Sequence, residues 1–355
     1  VNRSDADPAK INYVTVGNCI PTEVRYPYVA RVAAVQAGLG MDSVAMAVNR
    51  LCSSGLQAIV TTAQNILLGD CDYGIGGGVE VMSRGAYLAP AMRSGARMGD
   101  TKMVDGMVAA LTDPFGVGHM GVTAENLAEK WNITREEQDE LAAESHRRAA
   151  AAIEEGRFRE QIVPIVKKTR KGEVTVDTDE HVKPGTTVEK LAGMRPAFKK
   201  DGTVTAGNAS GINDGAAFLV LADAEAAKAD GAKPMARLVS YAVAGVPNEI
   251  MGEGPIPATK LAMKKAGMTL DTLDVIESNE AFAAQAIAVA RGLEFDTKKV
   301  NPNGGAIALG HPIGCSGAFL ATKAIYELHR IGGRYALVTM CVGGGQGIAA
   351  VFERL

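Results

Sequence analysis

Residues 52–80, CSSGLQAIVTTAQNILLGDCDYGIGGGVE, run from a thiol and small residues into an apolar helix, a Gly-Asp stop, a short apolar strand and then Gly76-Gly77-Gly78. Residues 315–347, CSGAFLATKAIYELHRIGGRYALVTMCVGGGQG, repeat that order: Cys315 opens the helix, Gly332-Gly333 ends it, and Gly343-Gly344-Gly345 follow the strand. Two segments on one plan point to a duplicated α/β unit whose halves pack against each other. Each helix is apolar on most sides and so belongs inside the protein. The strands, short and partly β-branched, suit sheets covered on both faces. Two sheets with helices between them is the expected layering.

Between the copies, from about Ser83 to Gly207, the chain turns charged and loop-rich. One helix is clear there: Thr134 and Glu137 form a T-x-x-E capping box, and Gly156 is its stop. Residues 166–184, VKKTRKGEVTVDTDEHVKP, read as a polar hairpin whose basic residues form either a solvated face or a cover over a phosphate-bearing ligand. Across 355 residues the net charge is only -3, from 37 basic and 40 acidic side chains well mixed, so nothing draws the chain to nucleic acid or anionic lipid. No apolar run approaches the roughly 20 residues of a transmembrane helix, and the first residues lack a signal core. Five cysteines, an odd number, suit free thiols in a reducing, cytoplasmic setting.

The chemistry gathers at the turns. Cys52 at a helix mouth is either core filler or a nucleophile whose thiolate the free N–H groups stabilise, lowering its pKa. In GGAIALGHPIGCSGA (304–318), His311 stands among glycines before a buried helix, a structural histidine or one that a ligand can approach. TMCVGGGQG (339–347) ends a strand in Cys341 and then exposes backbone N–H groups suited to an oxyanion. In ESNEAFAAQ (277–285), Ser278, Asn279 and Glu280 open a helix, with an N-cap as the plain reading. GNASGINDGAA (207–217) reads as a small-residue turn ahead of a strand. GIGGGVE (74–80) has the wrong spacing for a dinucleotide fingerprint, so no nicotinamide cofactor is expected.

Cys52, Asn279, His311 and Cys341, in NRLCSSGLQA (49–58), NEAFAAQ (279–285), NPNGGAIALGHPIG (301–314) and CVGGGQG (341–347), together resemble the thiolase family, and MSRGAYLAP (82–90) and HMGVTAEN (119–126) extend the resemblance over essentially the whole chain. It implies an α/β fold, a layered α/β/α/β/α sandwich of two similar five-stranded halves with an inserted loop domain. The expected divisions are 1–82 for the N-terminal half, 83–207 for a CoA-binding loop domain, 208–232 for the return segment and 233–355 for the C-terminal half. The resemblance implies that Cys52 attacks an acyl-CoA thioester while His311 takes its proton, with the N–H groups of Cys52 and Gly343 holding the oxyanion. Cys341 then acts as base on acetyl-CoA, and His311 with a water on Asn279 holds the enolate. Ser210 would touch the pantetheine arm, and Leu111, Met120, Phe198 and Met251 would line its tunnel, positions that plain core packing explains equally well. Lys183 stands where many relatives carry an arginine near the CoA nucleotide and loses the planar fork. Coenzyme A is part of the substrate, and no separate cofactor or metal is expected. The partners implied are acyl-CoA, coenzyme A and further copies of the chain, as a homotetramer built as a dimer of dimers.

Three alternatives stand beside this reading. A decarboxylating ketoacyl synthase would need two histidines where this chain offers one histidine, an asparagine and a second cysteine. A silent acyl-CoA-binding subunit is suggested by the start at Val1 without the family's first strand and its Arg-Thr-Pro loop, which should leave a sheet edge exposed. A degradative 3-ketoacyl-CoA thiolase of broader chain length is the third, but LTDPFGVGHMGVTAEN (111–126) resembles the loop of short-chain thiolases, with Met120 restricting the acyl group.

Overall fold

A computed structural model of the chain describes residues 3–4, 6–170 and 172–355. The first unit runs β1 (Ile11–Gly17), α1 (Val29–Gln36), β2 (Val44–Val48), α2 (Ser54–Leu68) and β3 (Tyr73–Val81). The middle carries β4 (Tyr87–Leu88), β5 (Val104–Asp105), α3 (Gly106–Ala110), α4 (Met120–Lys130), α5 (Arg135–Glu154), β6 (Ile165–Thr169), β7 (Gly172–Val176) and α6 (Val188–Ala192). The chain then returns through β8 (Asp214–Ala222) and α7 (Ala224–Ala229). The second unit is β9 (Ala236–Gly245), α8 (Pro255–Ala266), β10 (Val275–Ser278), α9 (Ala283–Leu293), α10 (Ala306–Leu309), α11 (Ile313–Ile331), β11 (Tyr335–Val342) and β12 (Gln346–Arg354).

One sheet has the order β2-β1-β3-β8, with β2 and β3 parallel to β1 and β8 antiparallel to β3. The other has the order β10-β11-β12-β9, with β10 parallel to β11 and β12 antiparallel to both neighbours. Between them lie α2 and α11, where Leu56 and Ile59 meet Ala318, Leu320, Met340 and Ile348 in one core. On the outer faces, α1 covers the first sheet and α8 with α9 the second. The result is the α/β/α/β/α layering. Both central helices end on a left-handed glycine, Gly69 and Gly332, which closes the last turn as a C-cap.

The two central helices touch through bare backbone. A Cβ on Gly55 would lie 2.9 Å from the Cys315 carbonyl oxygen and the Ala318 nitrogen, and one on Gly317 would collide with the backbone of Leu56. The triple glycine lies within β3. Side chains on Gly76 and Gly78 would strike Ile59 of α2 and Gly314 and Cys315 of α11, so the strand must be bare where both helices cross it.

Other expectations need correction. Each sheet holds four strands among the described residues rather than five. β8 is the edge where β9 flanks β12 in the second sheet. Opposite, the place matching β2 shows only a bridge between Ile276 and Val300, because the chain turns at Asn301 (φ 44°). Ser278–Glu280 do not cap a helix. Ser278 ends β10, and residues 279–282 run beside 208–210, with a bridge between Ala209 and Phe282, before α9 starts at Ala283. Among the described residues the middle region carries four α-helices, α3 to α6, rather than one. The Thr134–Glu137 capping box and the 165–176 hairpin are both present.

Because Gly317 meets the backbone of α2 rather than a side chain that can swing away, Gly317→Ala should cost about 2 to 3 kcal/mol by overpacking. Urea denaturation of the variant against the wild type measures it.

Candidate active site

Cys52 lies in the single turn Leu51–Ser53 ahead of α2, in a chain reversal that gives Leu51 a φ of 45°. The Ser54 hydroxyl donates to the Leu51 carbonyl at 2.7 Å and accepts from the Arg50 N–H at 2.8 Å, so the turn is fastened from both sides. The Cys19 thiol also donates to the Leu51 carbonyl, at 3.1 Å. Cys52 packs on Ile20, Met82 and Ile313, and Leu111 joins that cluster. Burial pushes its thiol up to about 11, although the Gly343 N–H and its own N–H both point at the sulfur and pull the other way. The helix start was expected to lower this pKa. Desolvation by three separate segments outweighs it.

His311 follows Gly310, whose φ of 102° lets the chain turn. Its N–H donates to Asn213 Oδ1 at 3.2 Å. Its Nδ1 lies 2.6 Å from Ser316 Oγ, and that hydroxyl donates to the Pro312 carbonyl at 2.9 Å. The hydroxyl proton is thus committed, so Ser316 accepts from Nδ1–H, which leaves the bare lone pair on Nε2. That nitrogen lies 3.5 Å from Asn279 Nδ2. Burial lowers the His311 pKa to about 4, so the ring is neutral near pH 7. A neutral imidazole with a bare Nε2 can accept a proton.

The loops that carry Asn279 and His311 are stitched together by neutral groups and one carboxylate. Glu280 accepts from Ser145 Oγ at 2.7 Å, Asn301 Nδ2 at 2.8 Å and the Ile307 N–H at 3.2 Å. Asn301 in turn holds both the N–H and the carbonyl of Ser278. Glu80 does the same on the Cys52 side, accepting from the N–H groups of Cys19, Ile20 and Gly314.

Cys341 is fully buried at the end of β11, and burial raises its pKa strongly, with the neighbouring Cys52 adding to the rise. It packs in one cluster with Met120, Met251, Phe198, Ala281 and Phe282. Gly343 abuts Met120, since a Cβ there would lie 3.4 Å from the methionine Cε. Ser210 donates its N–H to the Ala281 carbonyl at 3.0 Å, at the rim of the same cluster. Lys183 stands apart. It is exposed, and its N–H donates to His146 Nδ1 at 3.2 Å.

Four contributors escaped the sequence reading: Ser316, Asn213, Glu280 as a loop anchor, and His119, whose ring stacks on Phe198 at 4.7 Å. Only His119 carried a signal, its place beside Met120.

A model of the thiolase N-terminal domain matches residues 1–225, and one of the thiolase C-terminal domain matches residues 232–354. The chain is 59% identical to beta-ketothiolase BktB of Cupriavidus necator, over 99% of this chain and 90% of that protein. It is 49% identical to an acetyl-CoA acetyltransferase of Rhizobium meliloti, over 100% of this chain and 90% of that one. Among solved structures, human mitochondrial 3-ketoacyl-CoA thiolase matches with a TM-score of 0.98 at 43% identity, over 100% of this chain and 90% of that chain.

The depressed His311 pKa has a consequence for stability. Between its ordinary value near 6.5 and its folded value of about 4, the unfolded chain takes up a proton that the folded site refuses, so this group's contribution is lost as pH falls through that window. Glu277, whose pKa burial raises, acts in the opposite sense, so the test is a difference. The stability of the wild type relative to His311→Asn should fall from pH 7 to pH 4, read from urea midpoints of both proteins.

Proposed function

The chain belongs to the thiolase family, and on that premise we propose that it is an acetyl-CoA C-acetyltransferase, joining two acetyl-CoA reversibly into acetoacetyl-CoA and free CoA. The observation that carries this is the proximity of two thiols, Cys52 and Cys341, each walled by its own apolar cluster. One is addressed by the Gly343 N–H, the other is fully buried, and a neutral histidine lies beside an asparagine.

Cys52 gives its proton to His311 Nε2 and its sulfur attacks the thioester carbonyl, whose oxygen takes the N–H groups of Cys52 and Gly343. Such a donor is worth about 3 kcal/mol in the transition state. The departing CoA sulfur takes the proton of Cys341, which leaves that residue a thiolate. The raised pKa that makes Cys341 inert at rest makes its thiolate a strong base. It removes the α-proton of a second acetyl-CoA, and the carbanion displaces Cys52 from the acetyl group. The enolate oxygen is met by the protonated His311 and by a water oriented by Asn279, whose Oδ1 has no partner among the described residues. His311 returns its proton to Cys52.

The acyl range follows from packing. Met120 and Met251 are buried and Phe198 is half-buried beside Cys341, so each further methylene must displace side-chain atoms. CoA would extend from this cluster past Ser210 and Leu111 toward the exposed Lys183. A cytoplasmic homotetramer, a dimer of dimers, completes the proposal. Edge strand β2 is open, with the buried Arg50 Nε and Gln57 Oε1 near it unpartnered among the described residues, and the β4–β5 hairpin exposes Tyr87, Leu88, Met98 and Met103. Among the described residues no helix is long and apolar enough to cross a membrane.

Incubation with acetyl-CoA followed by intact-mass analysis should show one acetyl group on the wild type and on Cys341→Ala, and none on Cys52→Ala. Cys341→Ala should retain acetylation and lose condensation. An adduct surviving in Cys52→Ala would assign the nucleophile elsewhere.

Thiolytic kcat/KM should be highest with acetoacetyl-CoA, measurable with the five-carbon ketoacyl-CoA and small beyond six to eight carbons, since a methylene in an apolar pocket is worth about 1 to 3 kcal/mol. Met120→Ala should widen the range, and a wild-type maximum at about ten or more carbons, well beyond that limit, would reassign the substrate.

A further inference from the structure

One buried ion pair takes no part in the chemistry above. Lys323, in the middle of α11, and Glu277, on β10, are both fully buried, and the Lys323 ammonium lies 2.8 Å from Glu277 Oε2. The same ammonium donates to the Gly304 carbonyl at 2.6 Å. Glu327, Glu280 and Asp179 are the other acidic groups whose charge acts on this pair. Burying an ion pair costs desolvation that its attraction barely repays, and apolar residues of similar size would usually stabilise the fold as well or better. The value of this pair lies in what it holds.

It holds the two segments that meet at the site. Glu277 stands two residues before Asn279. Gly304 opens the short stretch, through α10, that ends in His311. Gly304 is itself wedged: a Cβ there would lie 2.6 Å from the Ser145 carbonyl and 2.7 Å from the Ala149 methyl of α5. Lys323 therefore pulls from α11 on a loop already pressed from the other side by α5, and ties it to the strand that delivers Asn279. The bonds through Asn301 and Glu280 set which residues are neighbours. A charged bond of 2.6 Å to a peptide carbonyl sets how far apart they stand.

We propose that Lys323 is a positioning residue for the condensation step: by bridging Glu277 and the Gly304 carbonyl from behind, it fixes the spacing between Asn279 and His311. This rests on the reading that those two residues hold the enolate. Acylation of Cys52 also uses His311, as its base, but takes its oxyanion donors from the N–H groups of Cys52 and Gly343 and makes no use of Asn279, so a change in the Asn279–His311 spacing acts on condensation more than on acylation. Misplacing a pair of donors by a fraction of an ångström costs between about ten- and a hundredfold in rate.

The test compares Lys323→Met with Glu277→Gln/Lys323→Met, a double variant that removes both charges of the pair together and so avoids stranding Glu277 without its partner. In both, the rate of Cys52 acetylation by acetyl-CoA should stay within about twofold of wild type, while kcat for condensation per acetylatable Cys52 falls by about tenfold or more. The KM for acetyl-CoA should change little. A purely structural role would instead lower the folded fraction and leave both half-reactions normal per titrated site. Condensation at the wild-type rate in the double variant, or an equal loss in both half-reactions, overturns the proposal. Absence of a Cys52 adduct in the wild type would overturn the thiolase reading itself, a separate outcome from any in the variants.

Discussion

Everything at the site depends on how closely two helices can approach. The starts of α2 and α11 carry Cys52 and His311, and they lie within reach of one another only because Gly55 and Gly317 place backbone against backbone. Helices with ordinary side chains at the contact keep their axes 8 to 10 Å apart. Here the crossing has glycine on both sides, and β3 meets both helices with glycines of its own. Close packing of this kind has no slack, because neighbouring backbone atoms cannot change rotamer to relieve a clash. The reward is that two loops from opposite ends of the chain are held as rigidly as if they were one.

The second constraint is polar. Glu80 and Glu280 each gather backbone and side-chain donors without forming a salt bridge among the described residues, which leaves the carboxylates to act as hubs for loops that have no regular hydrogen bonding of their own. Each hub joins segments far apart in sequence. Glu80 links the Cys19–Ile20 turn to Gly314, and Glu280 links α5 to the stretch before His311. The two hubs flank the thiols, so the apolar cluster of Met120, Met251 and Cys341 can remain soft while the groups around it stay in place.

The duplicated plan was legible because its signals are local: helical apolarity, a glycine stop and a strand recur within about thirty residues. Local signals also marked Cys52, His311, Cys341 and Gly343 as candidates, each beside a turn. What could not be read was anything set by distant contacts. Asn279 looks like a helix cap because the residues after it are helical, but pairing of 279–282 with 208–210 holds it extended. The tautomer of His311 depends on Ser316 being already committed to Pro312, an arrangement with no spacing rule behind it. The pKa of Cys52 rises rather than falls for the same reason. Its helix is visible in sequence, whereas the apolar wall of Ile20, Met82 and Ile313 is assembled only in the fold. The strand count differed where chain pairing, rather than strand propensity, decides what joins a sheet.

A thiol with its pKa near 11 and an imidazole held neutral make the resting site chemically quiet. Oxidants and soft electrophiles react with thiolates far faster than with thiols, and many enzymes that keep a thiolate ready must shield it. Here the shield is the protonation state. On the proposed mechanism the reactive ion pair is worth forming only when a carbonyl oxygen arrives to collect the charge at two backbone N–H groups, so that the bound thioester itself would switch the nucleophile on. Selectivity against bystander chemistry then comes from the order of events and requires no moving lid.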